Sequence, residues 1–348
     1  MKILVVGLGG IGQRHLRNLR ALLGPGAELS AFRVRGLSQT LTDQLDIEPG
    51  MEVAAKYGIR VFQDLDEALA TGPEVAFVCN PTSLHIPVAI RLARAGCHLF
   101  IEKPVAHSLE GVEELLALLE ARGLVSMVGY QLRFHPLLLK LREWIKEQRL
   151  GRIVAVRAEV GEYLPGWHRY EDYRQMYAAR ADLGGGVVLS QIHEIDYLGW
   201  LFGWPHRVFA VGGHLSRLEV DVEDTASLIL ETRVEGRSIP IHLHMDYLQR
   251  PPSRTCQIIG DAGKAVMDLR ATTATLYDEL GGVAETVSFP DFPRNQLFLD
   301  EVSYFLQCVS RHESASTSAW EGLRSLRVAL AAKASLASGL PVNLEEEL

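Results

Sequence analysis

Two stretches of the chain carry residue types suited to chemistry on a small molecule. The tripeptide Glu102-Lys103-Pro104 ends an apolar run, His98-Leu99-Phe100-Ile101. A lysine in that position stands where a strand gives way to a loop, and the proline restricts the backbone beside it and cannot continue the strand ladder. Lys103 could hold a reacting oxygen as an ammonium or exchange a proton with it. The second stretch is Tyr163-Leu164-Pro165-Gly166-Trp167-His168-Arg169-Tyr170, followed by Asp172-Tyr173-Arg174 and Tyr177. Aromatic rings stack on the C–H faces of sugars, and arginines grip carboxylates or phosphates through paired hydrogen bonds. Trp167, His168 and Arg174 are therefore expected to line a substrate site for a sugar or sugar derivative with an acidic group. The same composition also suits a subunit interface.

A glycine-rich turn supplies the partner that such a lysine needs. Gly7-Leu8-Gly9-Gly10-Ile11-Gly12 fits G-x-G-x-x-G, follows the apolar run Ile3–Val6 and opens a helical pattern, which is the context the motif requires. Glycines permit the tight turn and the close approach of a pyrophosphate to a helix N-terminus, where unpaired N–H groups favour negative charge. Gly7, Gly9, Gly10, Ile11 and Gly12 are thus expected to bind a dinucleotide. An acid at the end of the second strand would bind the ribose 2′-hydroxyl of NAD. The segment there, Ala31-Phe32-Arg33-Val34-Arg35-Gly36-Leu37-Ser38, contains none. Arg33, Arg35 and Ser38 suit a 2′-phosphate instead, so NADP is expected in preference to NAD.

The elements that must position these residues follow from periodicity. Apolar runs at Ile3–Val6, Leu29–Val34, Val75–Cys79, Leu99–Ile101 and Val125–Val128 alternate with helical patterns, including Ile86–Ala95 and one marked by Val112, Leu115, Leu116 and Leu119. That alternation predicts a doubly wound parallel sheet over residues 1–128. From 129 to 348 the pattern changes. A helix is expected from Leu137 to Arg149. Strands follow at Ile153–Glu159, Val208–Gly212, Ala226–Glu231, Ser238–Met245, Thr255–Ile259 and Ala265–Asp268, interrupted by a helix from Val188 to Leu201. Helices Gln296–Val309 and Ala319–Leu336 close the chain. The expected fold class is α/β: a nucleotide-binding domain, then an α+β domain.

Bulk properties narrow the partners. The chain has 348 residues, 47% hydrophobic and 22% charged, enough for two ordinary globular domains. Its net charge of −8, from 35 basic against 43 acidic residues, argues against nucleic acid. The first apolar run is too short for a signal core or a membrane span, so no membrane partner and a cytoplasmic location are expected. The four cysteines form no C-x-x-C pair and read as buried thiols, with no metal site.

Taken together, these residues resemble the glucose–fructose oxidoreductase, inositol dehydrogenase and rhizopine-catabolism (Gfo/Idh/MocA) family. The resemblance rests on the glycine turn, Asn80-Pro81-Thr82-Ser83-Leu84-His85, Glu102-Lys103-Pro104 and Gly129-Tyr130-Gln131-Leu132-Arg133-Phe134-His135-Pro136. It continues through Gly184-Gly185-Gly186, His193-Glu194-Ile195-Asp196 and Glu223-Asp224-Thr225-Ala226. It implies a Rossmann domain followed by a domain with a large open, mostly antiparallel sheet. It also implies a homodimer or homotetramer, and NAD(P)-dependent oxidation or reduction of a sugar, sugar acid or cyclitol. By the same resemblance Lys103 is the catalytic lysine and His193 the catalytic histidine. Asn80, Pro81, His85, Glu102, Lys103 and Gln131 face the cofactor, and Tyr130 and Arg133 belong to the loop shared with the substrate. Glu194 is a further candidate substrate ligand.

The chain departs from the family pattern at one place. The aspartate usual four residues before the histidine is missing: Leu189 stands there and Ser190 one residue later. Histidine suits the role of base because its ordinary pKa of about 6.5 lies near operating pH. Lys103 would then orient the substrate oxygen, although the two roles can be exchanged. Two other readings stay open: reduction of a non-sugar ring, as in the biliverdin reductase-like branch, and a catalytically idle cofactor-bound regulator.

Overall fold

Strands buried on both faces must be apolar throughout. The computed structural model, which describes residues 1–34, 39–42, 45–168 and 170–344, builds the first part of the chain on that rule. In chain order it comprises β1 (Lys2–Val6), α1 (Gly10–Leu23), β2 (Glu28–Phe32), a small hairpin of β3 (Thr40–Leu41) and β4 (Ile47–Glu48), α2 (Val53–Tyr57), β5 (Arg60–Phe62) and α3 (Leu65–Leu69). Then come β6 (Val75–Val78), α4 (His85–Arg94), β7 (His98–Ile101), α5 (Val112–Ala121) and β8 (Ser126–Val128). The six-stranded sheet has the order β5-β2-β1-β6-β7-β8, and every pairing is parallel. Parallel strands share one carboxyl edge, so the turn after β1, Asn80 after β6 and Lys103 after β7 all emerge on the same side. The strand order reverses between β1 and β6, where open α/β sheets bind ligands.

The second part starts with α6 (Pro136–Lys146) and β9 (Ile153–Gly161). Short 3₁₀ turns follow, at Leu164–Gly166, Tyr173–Gln175, Tyr177–Ala179 and Ala181–Leu183. The predicted helix from Val188 to Leu201 is two helices, α7 (Val187–Ser190) and α8 (His193–Phe202), separated at Gln191-Ile192. The remainder is β10 (Pro205–Gly213), β11 (Thr225–Val234), β12 (Arg237–Asp246), β13 (Ser253–Gly260), β14 (Lys264–Asp268), β15 (Thr273–Tyr277), β16 (Val283–Ser288), α9 (Arg294–Arg311), α10 (Ala319–Ser338) and β17 (Val342–Asn343). The nine-stranded sheet runs β16-β15-β14-β13-β9-β12-β11-β10-β17. Its pairings are antiparallel except β12 with β9. Burial alternates along β11 and β12, so one face packs under α7, α8 and α10 while the other is open. Val211 and Ile229 stand exposed on that open face.

A helix from the second part completes the first core. Phe305 of α9 packs edge-on against Phe77 of β6 and Phe100 of β7, at 5.8 and 5.6 Å between ring centroids. Val302, Cys308 and Val309 join the same buried cluster. The six-stranded sheet ends at Val128, while its core is shared with α9. All four cysteines are buried and unpaired with one another. Among the described residues no helix is long and apolar enough to cross a membrane.

Candidate active site

The glycine turn is shaped by close approach. Gly7 has φ +95°, and a Cβ there would lie 2.7 Å from the Cys79 carbonyl oxygen. A Cβ on Gly12 would lie 2.0 Å from the Gly7 oxygen, so α1 can start here only on glycine. Gly9 faces open space. The Tyr170 hydroxyl lies beside Gly10, 3.0 Å from where a Cβ there would stand, so an oxygen can approach the turn at that point. At the carboxyl edge of β6, Asn80 Oδ1 is buried without a partner among the described residues. A glycine cradle that an oxygen can approach and an orphaned acceptor beside it together fit a dinucleotide.

His85 is the first residue of α4 and ties two loops of this edge together. Its Nδ1 lies 2.9 Å from the Pro104 carbonyl and its Nε2 2.9 Å from the Asn80 carbonyl. Burial lowers its pKa. It holds the lysine loop in place from behind. Glu102 accepts a hydrogen bond from His15 Nε2 at 2.7 Å, which fixes the residue before Lys103 to α1. Pro81 follows Asn80 and is partly buried. The Arg33 amide donates to the Phe62 carbonyl at 3.0 Å. Arg35 and Ser38 lie outside the described residues.

Lys103 points into the second part of the molecule. Its Nζ donates to the backbone carbonyl of Ser190 at 2.7 Å and approaches the Tyr177 hydroxyl at 3.4 Å. The α7–α8 break makes the first contact possible: a carbonyl at the end of α7 has no helical N–H to accept from and turns to the lysine. Gln191 at the break is anchored by its side-chain amide, which donates to the Asp246 carbonyl at 3.0 Å. The acceptors for Lys103 are therefore the Ser190 peptide carbonyl, on the stretch where the expected aspartate is missing, and the Tyr177 hydroxyl.

His193 opens α8. It is 6% exposed, and its Nε2 lies 3.3 Å from the Gln131 side-chain nitrogen. An amide N–H donating there leaves the ring proton on Nδ1, which is buried without a partner among the described residues. Burial first, then the charges of Lys103, Arg254 and Arg294, hold the His193 pKa well below its ordinary value. The ring is neutral, as a base must be.

Several candidates stand behind the site instead of facing it. Tyr130 is 0% exposed, and its hydroxyl lies 2.5 Å from Ser325 Oγ. Arg133 binds Asp196 through two hydrogen bonds, at 2.9 and 2.7 Å, and is likewise buried. Glu194 is 0% exposed and accepts two hydrogen bonds from Arg254, at 2.6 and 2.9 Å. These groups are saturated by internal partners, so they position the loop and α8 and do not meet substrate. Arg174 is exposed and engaged by Asp172 and Glu219, at 2.6 and 3.2 Å, which removes it as the grip for an acidic substrate. Trp167 packs edge-on against Tyr247 at 5.4 Å, with its buried indole N–H unpartnered among the described residues. His168 lies 2.8 Å from Glu171 Oε1 and stacks on Tyr170, which carries the segment to the glycine turn. Arg254 and Arg294 were not singled out from sequence, and neither Ser190 nor Tyr177, though named there, was given the role of a partner to Lys103. Tyr177 had a signal in its aromatic segment; a backbone carbonyl has none.

Known proteins resemble this arrangement along its whole length. Residues 1–130 match the family model for an oxidoreductase family with an NAD-binding Rossmann fold, and residues 138–266 match the GFO/IDH/MocA C-terminal domain. The chain is 26% identical to a myo-inositol 2-dehydrogenase of Thermotoga maritima, with 99% of both chains covered. Among solved structures it superposes on the WlbA dehydrogenase of Bordetella pertussis in complex with NADH and UDP-GlcNAcA, with a TM-score of 0.78, 25% identity, and 100% of this chain and 99% of that one covered. A levoglucosan dehydrogenase in complex with NADH and levoglucosan shares the fold, with a TM-score of 0.81, 19% identity, and 99% and 100% covered.

Proposed function

The chain belongs to the Gfo/Idh/MocA family of NAD-binding oxidoreductases, and on that premise we propose that it moves a hydride between a nicotinamide and a secondary alcohol or ketone carbon of a sugar, sugar acid or cyclitol. The observation that carries this reading is the pairing of a neutral, buried His193 with an ammonium-bearing Lys103 on the carboxyl edge of a dinucleotide fold. Gly7, Gly9, Gly10, Ile11 and Gly12 would hold the pyrophosphate, and Asn80, Pro81 and Gln131 would line the path to the reacting end. When bound, the nicotinamide accepts or returns the hydride.

The protein's own part is proton handling and orientation. An ammonium has three N–H donors. Ser190 and Tyr177 take two on Lys103, and the third is left for the substrate oxygen. As the alcohol is oxidised, negative charge grows on that oxygen and Lys103 stabilises it. His193 takes the hydroxyl proton and gives it back in the reverse direction. Tyr177, which meets Lys103, ties the aromatic segment of the second domain to the site. NADP is proposed in preference to NAD, because no acid follows β2 and Arg33 does. The open face of the nine-stranded sheet, with Val211 and Ile229 bare, supports assembly into a homodimer or homotetramer.

The test is a screen of sugars, uronic acids, nucleotide sugars and inositols with both cofactors, followed by absorbance of the reduced nicotinamide. Turnover of a polyol that disappears in His193→Ala and Lys103→Ala is the expected result. Tight cofactor binding with no turnover of any of them would overturn the reading. Tighter binding of NADH than of NADPH would overturn the cofactor preference.

A further inference from the structure

One end of the large sheet collects positive charge beside His193. Arg254 on β13 pairs across the sheet with Val160 of β9, and Glu162 follows two residues later on that strand's exit. The Leu269 amide donates to the Arg254 carbonyl at 2.9 Å, which places Arg270 next to Arg254. The chain then returns: the Phe289 amide donates to the Thr272 carbonyl at 2.9 Å, and the Phe292 amide to the Phe289 carbonyl at 3.1 Å. The Phe292 ring lies 5.3 Å from that of His135, in the loop that carries Gln131, and Arg294 opens α9 just beyond. Backbone hydrogen bonds thus bring three guanidinium groups from three elements to the same corner.

Their counter-charges do not match them. Arg254 is answered by Glu194 through a two-pronged pair. Arg270 reaches Glu162 at 3.4 Å. Arg294, exposed at the start of α9, has neither a hydrogen bond nor an ion pair among the described residues. The other arginine that could grip an acid, Arg174, is already held by two carboxylates. Loss of solvent lowers the Arg294 pKa most; Glu162 pulls it back, and the like charges of Arg254 and Arg270 lower it further. A guanidinium is always charged and presents a fork that fits carboxylate or phosphate oxygens.

We propose that Arg294, backed by Arg254 and Arg270, forms a subsite for an anionic group of the substrate, so that the polyol oxidised here carries a carboxylate or a phosphate. The proposal rests on the dehydrogenase reading above and narrows it. The anion and the reacting carbon lie at opposite ends of one short path, from Arg294 past His193 to Lys103. The three cations would orient the molecule while the lysine holds the reacting oxygen.

The test uses the full-length protein and probes that differ only in an anionic group: glucose against glucuronate and glucose 6-phosphate, and myo-inositol against an inositol monophosphate. The anionic member of a pair should show a KM lower by about 10–100-fold, the worth of one charge-assisted contact. Arg294→Gln should collapse that ratio to within about threefold, and Arg294→Lys should retain part of it. The carboxylate and phosphate arms tell the two sources apart. Equal KM values for neutral and anionic partners would overturn the subsite while leaving the dehydrogenase reading in place. So would an Arg294→Gln variant that loses the same factor on both. If no polyol turns over, the dehydrogenase reading fails, and calorimetric titration of the same probes into cofactor-loaded protein still decides. Binding of the anionic probe that vanishes in Arg294→Gln upholds the subsite, and indifference to the charge overturns it.

Discussion

At the scale of single residues, the division of work proposed for Lys103 and His193 is one of charge. On that proposal the lysine keeps one donor for the substrate, while the histidine is held neutral by burial and by its cationic neighbours. Lys103→Met and His193→Ala are each expected to lower kcat by roughly 10²–10⁴-fold, with cofactor affinity largely kept, in steady-state assays. The charges around His193 also set a pH profile. Because its pKa lies well below 6.5, the base is already free of its proton at neutral pH. The rate of alcohol oxidation should therefore stay flat as pH falls through 6.5 and drop only in more acidic buffer. An inflection near or above 6.5 that disappears in His193→Ala would contradict this. Lys103 was legible in the sequence because its signal is local: an apolar strand, then lysine, then proline. Its partners were not. The Ser190 carbonyl has no sequence identity at all, and Tyr177 is distant in the chain.

At the scale of elements, α8 is the part that turns a fold into a site. Its first turn presents His193, while Glu194 and Asp196 reach inward to Arg254 and Arg133. All three residues are polar and stand within four positions, so nothing in their spacing tells which one meets substrate. Only the packing of β13 and of the Gln131–Phe134 turn against the helix decides it. The same limit explains the single long helix expected from Val188 to Leu201: its apolar pattern runs on through Gln191-Ile192, and the interruption is imposed by the Asp246 carbonyl across the gap. Arg133→Ala would leave Asp196, 1% exposed, as a buried charge without its partner. A loss of about 3–5 kcal/mol in unfolding free energy is expected, measured from denaturant midpoints. Asp196→Asn strands the buried Arg133 guanidinium in turn, with Glu321 at 3.9 Å as its remaining counter-charge, so a loss of comparable size is expected.

At the scale of the whole molecule, buried histidines make stability depend on acid. His85, His135 and His193 all have pKa values lowered by burial, His135 to about 4. The unfolded chain binds protons on these rings near pH 6.5, where the folded chain does not. Stability is therefore full above about pH 6.5 and is lost as pH falls from there toward the folded pKa values. Denaturant titrations at pH 7.5 and 5.5 should show a lower midpoint in the acidic buffer, with part of the difference removed in His135→Asn. The two sheets and their helices were readable from alternating and continuous apolar runs, but the sharing of cores was not, since Phe305 stands far along the chain from the rings it covers. That sharing bears on how the protein is made. A ribosome delivers α1, β6 and β7 early and α9 only near the end, so the face carrying Phe77 and Phe100 has only the part of its cover that α1 supplies through most of synthesis. A premature stop or a proteolytic cut before α9 would release no free-standing cofactor module. It would release a sheet with part of its apolar face uncovered, a substrate for chaperones and proteases.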